Sequence, residues 1–349
     1  MDTLTHAVLG AMLGHVAFGK RLGWRAAVVG IIASEVPDLD FLIRSDADPL
    51  LNIEYHRHFT HSLGFAPVGA LLLTLPWLAS ARWRPHGRDL WLCALLSWLS
   101  HILLDTCTTY GTQLLRPFSD ARFGWDLISI VDPLFTLVLL AGLVATLVTK
   151  RNQFAYVALA LGLGYLALGG VQRWRALQAQ TQLAHARSHT IERRAAMPTL
   201  GNHLVWRSLY QHDGRIYSDR IRVGWFASPS VKVGASLPLV TERELSPAEV
   251  ARSNGKNHFR RFNWFSAGWV ARAPNDPTVL GDMRYSLSAQ AFDPIWGIRF
   301  TAPDHAVEVE WVNRSSQRKL GLRELWQELS GDDPGYVTLA SVLGKARGE

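Results

Sequence analysis

Four apolar stretches in the first half of the chain, residues 63–80, 89–106, 131–149 and 153–171, each approach the roughly 20 residues that a helix needs to cross a bilayer core. Segments that long and that oily have no comfortable place on a water-facing surface. Two shorter apolar stretches, 4–19 and 24–36, precede them and read as a helical hairpin, the first with small residues that allow close helix contact. Trp77, Trp91, Trp98 and Tyr156 are candidate interface anchors, and Pro67 and Pro76 are expected to kink the third helix. The expected fold is an α-helical transmembrane bundle of about six helices, four of them near spanning length, followed by a β-rich globular C-terminal domain.

The mean hydropathy of +0.05 conceals that division. Residues 1–171 are very apolar, whereas 172–349 hold most of the charge and eight of the fourteen tryptophans. Three parts follow: a membrane helical domain at 1–171 carrying the polar site, a polar and basic connecting helix at 172–196, and a β-rich domain at 197–349. In the last part, Asp213-Gly214 between two β-rich runs is a strong hairpin signal. RRFNWFSAGWVARAP, DMRYSLS, PIWGIRFTAP and VEVEWVNR continue the strand-like pattern, with helices expected at SPAEVARS and near 320–345.

Between the second and third apolar segments lies the stretch Glu35–Ser62, which packs acids and imidazoles into EVPDLDFLIRSDADPLLNIEYHRHFTHS. It has two cores, Pro37-Asp38-x-Asp40 and His56-Arg57-x-x-Thr60-His61-Ser62. Carboxylate oxygens and neutral imidazole nitrogens are the donors that suit Zn, Mn or Fe. Two further pieces share this chemistry: His6 near the start, and His101 with Asp105, whose four-residue spacing puts both on one helix face. His56 and His61 would splay on a continuous helix. They work together if His56 lies in a loop and Thr60 or His61 opens the next helix, with Thr60 as its N-cap. Ionisable groups within apolar helices are costly and need a partner, which a cation supplies.

Each of these residues also has a plainer reading. Aspartates 38 and 40 could mark a turn after Pro37, and the histidines could be interfacial polar residues. Asp38 is the first choice as ligand, with Asp40 beside it in a supporting place. Arg57 either pairs with Glu54 or an aspartate, or clamps an anion with its planar fork. Glu35 is the best placed general base, Thr109 a partner to a ligand, and Asp132 before Pro133 an N-cap. His15 is left as structural, and His185, His189, His203, His212, His258 and His305 read as surface residues. The two cysteines, Cys93 and Cys107, form no CxxC and no disulfide framework. Cys93 reads as a small buried hydrophobe; Cys107 lies close enough to Asp105 in sequence to be weighed as a ligand. No cleavable signal is expected at the N-terminus, where Asp2 and His6 replace a basic region.

The formal charge of +7 does not point to nucleic acid, because much of the basic charge lies beside apolar segments. If the helices alternate, one face collects eight basic residues (among them Lys20, Arg21, Arg82 and Arg84) and one acid, while the other collects ten acids and four bases. The positive-inside rule makes the first face cytoplasmic. All the candidate ligands then converge on the outer face with the C-terminal domain.

The order TH, PDLD, HRHFTHS, HILLD and TYGTQLLRPFS, interleaved with apolar helices over roughly the first 170 residues, resembles the membrane-bound metal-dependent hydrolase family. This is the YdjM-like group, also described as LexA-binding, inner-membrane-associated hydrolases. GDMRYS and PIWGIRF are similar to its longer, two-domain members. One departure is His58, where a small residue is expected after His-Arg, so the choice among His56, His58 and His61 stays open. The resemblance implies a multi-pass protein of the bacterial inner membrane and metal-dependent hydrolysis.

The leading expectation is one or two Zn ions, or Mn, held by His6, Asp38, His56, His61, His101 and Asp105, with Glu35 and Arg57 as catalytic groups. Six ligands exceed the three of a lone catalytic zinc, which favours a two-metal site and hence a phosphoester or lipid-linked substrate at the outer membrane surface. The C-terminal domain is expected to cover the site or select the substrate. The alternative is a non-catalytic scaffold or regulator whose metal is structural. A transporter would need polar residues deep in several helices, and segments 63–80, 131–149 and 153–171 lack them.

Overall fold

The computed structural model describes residues 1–250, 254–286, 292–301, 307–317 and 322–347. They fall into two compact units. The first comprises residues 1–43, 55–170 and 200–202; the second comprises 44–54, 171–199 and 203–349.

The first unit is helical. α1 (Thr3–Leu22) and α2 (Arg25–Glu35) form the expected hairpin, and Asp2 caps α1 by accepting from the Thr5 amide. Their backbones touch: a Cβ at Gly10 would collide with the Gly30 carbonyl, and one at Gly30 with the Gly10 carbonyl. After a 3₁₀ turn over Val36–Leu42 comes α3 (Leu51–Tyr55), whose last residue lies in this unit, and a second 3₁₀ turn at Phe59–His61. α4 (Ala66–Leu78) and α5 (Gly87–Thr106) follow, then α6 (Pro133–Thr149), capped by Asp132 through the Phe135 amide. Pro67 sits in the first turn of α4, where a missing N–H costs nothing, and only Pro76 lies inside that helix. Thr60 caps no helix; α4 starts after Phe65 without a side-chain cap, and Ser62 accepts from the Phe65 amide in the turn before it.

α1, α2 and α5 pack together, and their ends are chemically sorted. Lys20 and Arg21 end α1, Arg25 begins α2, and Arg21 bonds Asp89 in the first turn of α5 at 2.7 Å. His6, Glu35 and the His101–Asp105 pair occupy the opposite ends, with His6 and Arg21 about 22 Å apart along α1.

α7 (Gln153–Ala186) runs unbroken for 34 residues. It joins the expected apolar segment 153–171 and most of the connecting helix at 172–196, which stops ten residues early because β1 begins at Arg193. Among the described residues α7 is the one helix both long and apolar enough to cross a membrane. α3 with the turn at Phe59–His61 and α4 would make a second if read as one span bent by 81°, and the apolar α6 has 17 residues. α1 and α5 have the length, but histidines and charged residues dilute their apolar character.

The second unit is rich in sheet. One antiparallel sheet has the order β1 (Arg193–Pro198), β2 (Val205–His212), β3 (Arg215–Arg222), β4 (Ser230–Pro238) and β9 (Val337–Thr338). The β2–β3 turn is Asp213-Gly214 with both φ positive, as a two-residue hairpin of this hand requires. The second half of α7 lies on this sheet through Ala176, Ala179 and Leu183 against Ala196, Trp206, Ile221 and Val231. Its buried glutamines are matched to strand carbonyls: Gln172 donates to His203 and Val223, and Gln180 to Ala195 and Leu209.

α8 (Pro247–Val250) and α9 (Gly255–Phe265) precede the second sheet, ordered β5 (Val270–Ala273), β6 (Asp276–Asp282), β7 (Trp296–Phe300) and β8 (Val309–Asn313). α9 corrects the strand expected at RRFNWF. Phe259, Phe262 and Phe265 recur every third residue and are all buried, which is a helical stripe and not an alternation. α10 (Leu322–Ser330) and α11 (Leu339–Arg347) end the chain near the expected positions. His305 and parts of DMRYSLS, PIWGIRFTAP and SPAEVARS fall outside the described residues.

Candidate metal centre

Four side chains from three places meet inside the first unit: Asp38 from the 3₁₀ turn after α2, His61 from the turn before α4, and His101 with Asp105 from the last turns of α5. The Nε2 atoms of His61 and His101 stand 2.9 Å apart. His61 Nε2 lies 3.3 Å from Asp38 Oδ1 and 3.4 Å from Asp105 Oδ2, and His101 Nε2 lies 3.6 Å and 3.7 Å from the same two oxygens.

These spacings fit a cation. Donors about 2.1 Å from a tetrahedral ion lie roughly 3.4 Å from one another, the range seen on these edges. Asp38 Oδ1 and Asp105 Oδ2 are buried and have no hydrogen-bond partner, so two anionic oxygens face two imidazole nitrogens with no donor aligned on either oxygen. Buried anionic oxygens in such an arrangement are stabilised by a positive ion.

The surrounding residues fix the donors. Asp40 Oδ2 lies 3.1 Å from His61 Nδ1 and accepts from the Thr60 hydroxyl and the Arg57 amide, while its Oδ1 is 2.7 Å from His56 Nδ1. A carboxylate behind one imidazole nitrogen turns the other toward the site. His6 stacks on the His101 ring at 3.8 Å and places Nε2 3.1 Å from Asp105 Oδ1, an oxygen that the Met1 amino group also touches. Arg57, in left-handed backbone, sets Nε 2.8 Å from Asp105 Oδ2 but out of hydrogen-bond alignment. Its Nη1 donates to the Thr108 hydroxyl and the Asp105 carbonyl.

Asp38 also belongs to a second donor group with Asp40 and His56. Here the side chains of Asp38 and His56 are about a quarter exposed, while those of His61, His101 and Asp105 are fully buried. Burial alone would raise the Asp38 and Asp40 carboxyls. The imidazoles of His101 and His61 outweigh it at Asp38, and those of His56 and His61 at Asp40, holding both below the ordinary carboxylate range. Glu35 is the last residue of α2. Its Oε1 is buried without a hydrogen-bond partner.

Of the six expected ligands, four thus form one donor group, His56 enters the adjoining group, and His6 stands behind Asp105 and His101. His58 packs against the rings of Tyr55 and Phe59 and joins neither group. Arg57 pairs with Asp105, and Glu54 is bound instead by Arg261. Cys107 turns its thiol to the Leu103 carbonyl. Thr108, rather than Thr109, supports Arg57, a role no sequence spacing signals. His203, expected at the surface, is buried beside Trp206, and His189 stacks on His212.

A family model described as YdjM inner membrane protein matches residues 1–176. The inner membrane protein YbcI of Escherichia coli is 37% identical over 132 residues, covering 36% of this chain and 75% of that protein. The uncharacterized protein YfhP of Bacillus subtilis is 29% identical over 141 residues, covering 38% of this chain and 42% of that protein. The match therefore spans less than half the length of the Bacillus relative. No solved structure matches the chain.

Proposed function

We propose that this chain, which belongs to the YdjM inner membrane protein family, is a multi-pass inner-membrane hydrolase that uses a divalent metal, Zn or Mn, on a phosphoester or lipid-linked substrate. The observation that carries the reading is the convergence of Asp38 Oδ1, Asp105 Oδ2 and the Nε2 atoms of His61 and His101 with spacings that suit a tetrahedral ion. Asp38 belongs to both donor groups, which supports a site whose residues would hold two ions.

A divalent ion in such a cage supplies Lewis acidity, acidifying a water and polarising the bond to be cleaved. The protein's own residues do the rest. Asp40 and Thr60 orient His61, and Arg57 with Thr108 fixes Asp105 and balances its charge. His56 and Asp38 form the side through which water and substrate reach the donors, because their side chains are the part-exposed ones. Glu35, whose Oε1 is buried without a hydrogen-bond partner at the end of α2, is the proton acceptor. The sorting of basic and ligand-bearing ends along α1, α2 and α5 supports a bundle whose site faces outward, with Lys20, Arg21 and Arg25 on the cytoplasmic side.

A second reading is favoured by one observation: four protein donors, three of them fully buried, match a closed structural site better than an open catalytic one. In that case the protein is a membrane scaffold. Elemental analysis of the purified protein and of His101→Ala, with a screen of phosphoester and acyl-ester substrates, separates the two. Stoichiometric metal with turnover that His101→Ala abolishes supports the hydrolase. Stoichiometric metal without turnover on either class supports the scaffold, and no metal in the unsubstituted protein removes both.

A further inference from the structure

α7 carries charges at defined points. Lys150 and Arg151 precede it, and the next charged residues are Arg173 and Arg175, with an uncharged, largely apolar run between. That run of about 20 residues matches the hydrocarbon thickness, so the first charges after it mark the level at which the helix reaches the headgroups. Val171 and Trp174 at this level are 54% and 61% exposed.

The β3–β4 loop of the second unit is tied to the same level. The Arg175 guanidinium donates to the Gly224 carbonyl at 2.8 Å and to the Ala227 carbonyl at 3.3 Å. One turn earlier, Gln172 donates to the Val223 carbonyl at 2.9 Å. Between those tethers stand Trp225 and Phe226. Phe226 is fully exposed and Trp225 nearly half, whereas Trp206 and Tyr210 in β2 are fully buried. A bare phenylalanine and tryptophan at a loop tip are unfavourable in water and favourable where acyl chains meet headgroups.

We propose that the Trp225–Phe226 loop, with Trp174, is seated in the interfacial layer of the phospholipid bilayer that α7 crosses. The occupant is lipid because the loop is pinned to α7 at the residues that follow the apolar run, where Val171 and Trp174 are exposed as well. Arg175 is the positioning residue: its two carbonyl bonds set the depth of the loop. The inference rests on α7 crossing the membrane and is independent of the metal centre.

The test is nitroxide accessibility in lipid nanodiscs of phosphatidylethanolamine and phosphatidylglycerol, on the full chain. Phe226→Cys, labelled, is expected to collide more with oxygen than with a water-soluble nickel chelate. Asp213→Cys at the exposed hairpin turn shows the opposite order, and Leu163→Cys on α7 shows the greatest oxygen preference. Labelling of the unsubstituted protein sets the background of the buried Cys93 and Cys107. A Phe226 label with the accessibility of the Asp213 label, or one shielded from both reagents by protein, overturns the proposal. A water-like Leu163 label removes its premise instead. Arg175→Ala is expected to shift the Phe226 label toward the nickel reagent, and no shift overturns the positioning role.

Discussion

His61 and His101 point their Nε2 atoms at each other across 2.9 Å, from segments 40 residues apart in sequence. At most one proton can lie between them, and both nitrogens also face the orphaned oxygens of Asp38 and Asp105. Replacing His101 by Ala removes one corner of the cage, so bound metal is expected to fall from stoichiometric to trace. His15→Ala, in α1 and outside both donor groups, keeps it; elemental analysis after exhaustive buffer exchange reads both.

Asp40 acts through His61. Asp40→Asn keeps the shape but loses the charge that holds the imidazole, so metal affinity should drop about 10–100-fold, the usual effect of removing an outer-shell partner. A competition titration with a chromophoric chelator measures it. Unchanged affinity would return Asp40 to the role of a turn residue.

Gly30→Ala forces a methyl into the Gly10 carbonyl, and neither backbone can yield without parting α1 from α2. The expected cost is about 1–3 kcal/mol, as for other overpacked contacts. Thermal unfolding in detergent should show it, while Gly164→Ala, with open space around its Cβ position, serves as the control.

Arg261 binds Asp48 at 2.7 Å and both carboxylate oxygens of Glu54, holding residues 44–54 within the second unit. Arg261→Ala removes a part-exposed ionic network of about 1 kcal/mol, so amide exchange in 48–54 is expected to quicken roughly fivefold. Burial would raise the Asp48 carboxyl, but Arg261 outweighs it and lowers it. The stability this confers is therefore present above the ordinary value of about 3.9 and is lost as pH falls through the lower folded value. Protection of this segment, corrected for the intrinsic exchange rate at each pH, should fall below about pH 4 in the unsubstituted protein, and less so in Arg261→Ala.

Much of the architecture was legible in residue order alone. Apolar stretches placed α1, α2, α4, α5 and α6 within a few residues and marked the start of α7, and Asp213-Gly214 located the hairpin because few other pairs accept two positive φ values. The four-residue spacing of His101 and Asp105 put both on one face of α5 before any packing was considered. The stripe of Phe259, Phe262 and Phe265 was also there to be read, but the aromatic content of the surrounding runs resembled strand.

Which donors meet was decided only by tertiary structure. Asp38 and Asp40 are two residues apart and chemically identical, yet only Asp38 joins the other three donors, while Asp40 braces His61 from behind. His6 and His56 carry the same ring as His61 and His101 and stand outside the four-donor group. Spacing along a helix or turn determines which residues share a face. Ångström-scale convergence of segments 40 to 99 residues apart depends on how closely α1, α2 and α5 pack, to which the Gly10–Gly30 contact contributes between α1 and α2 and which no local pattern encodes.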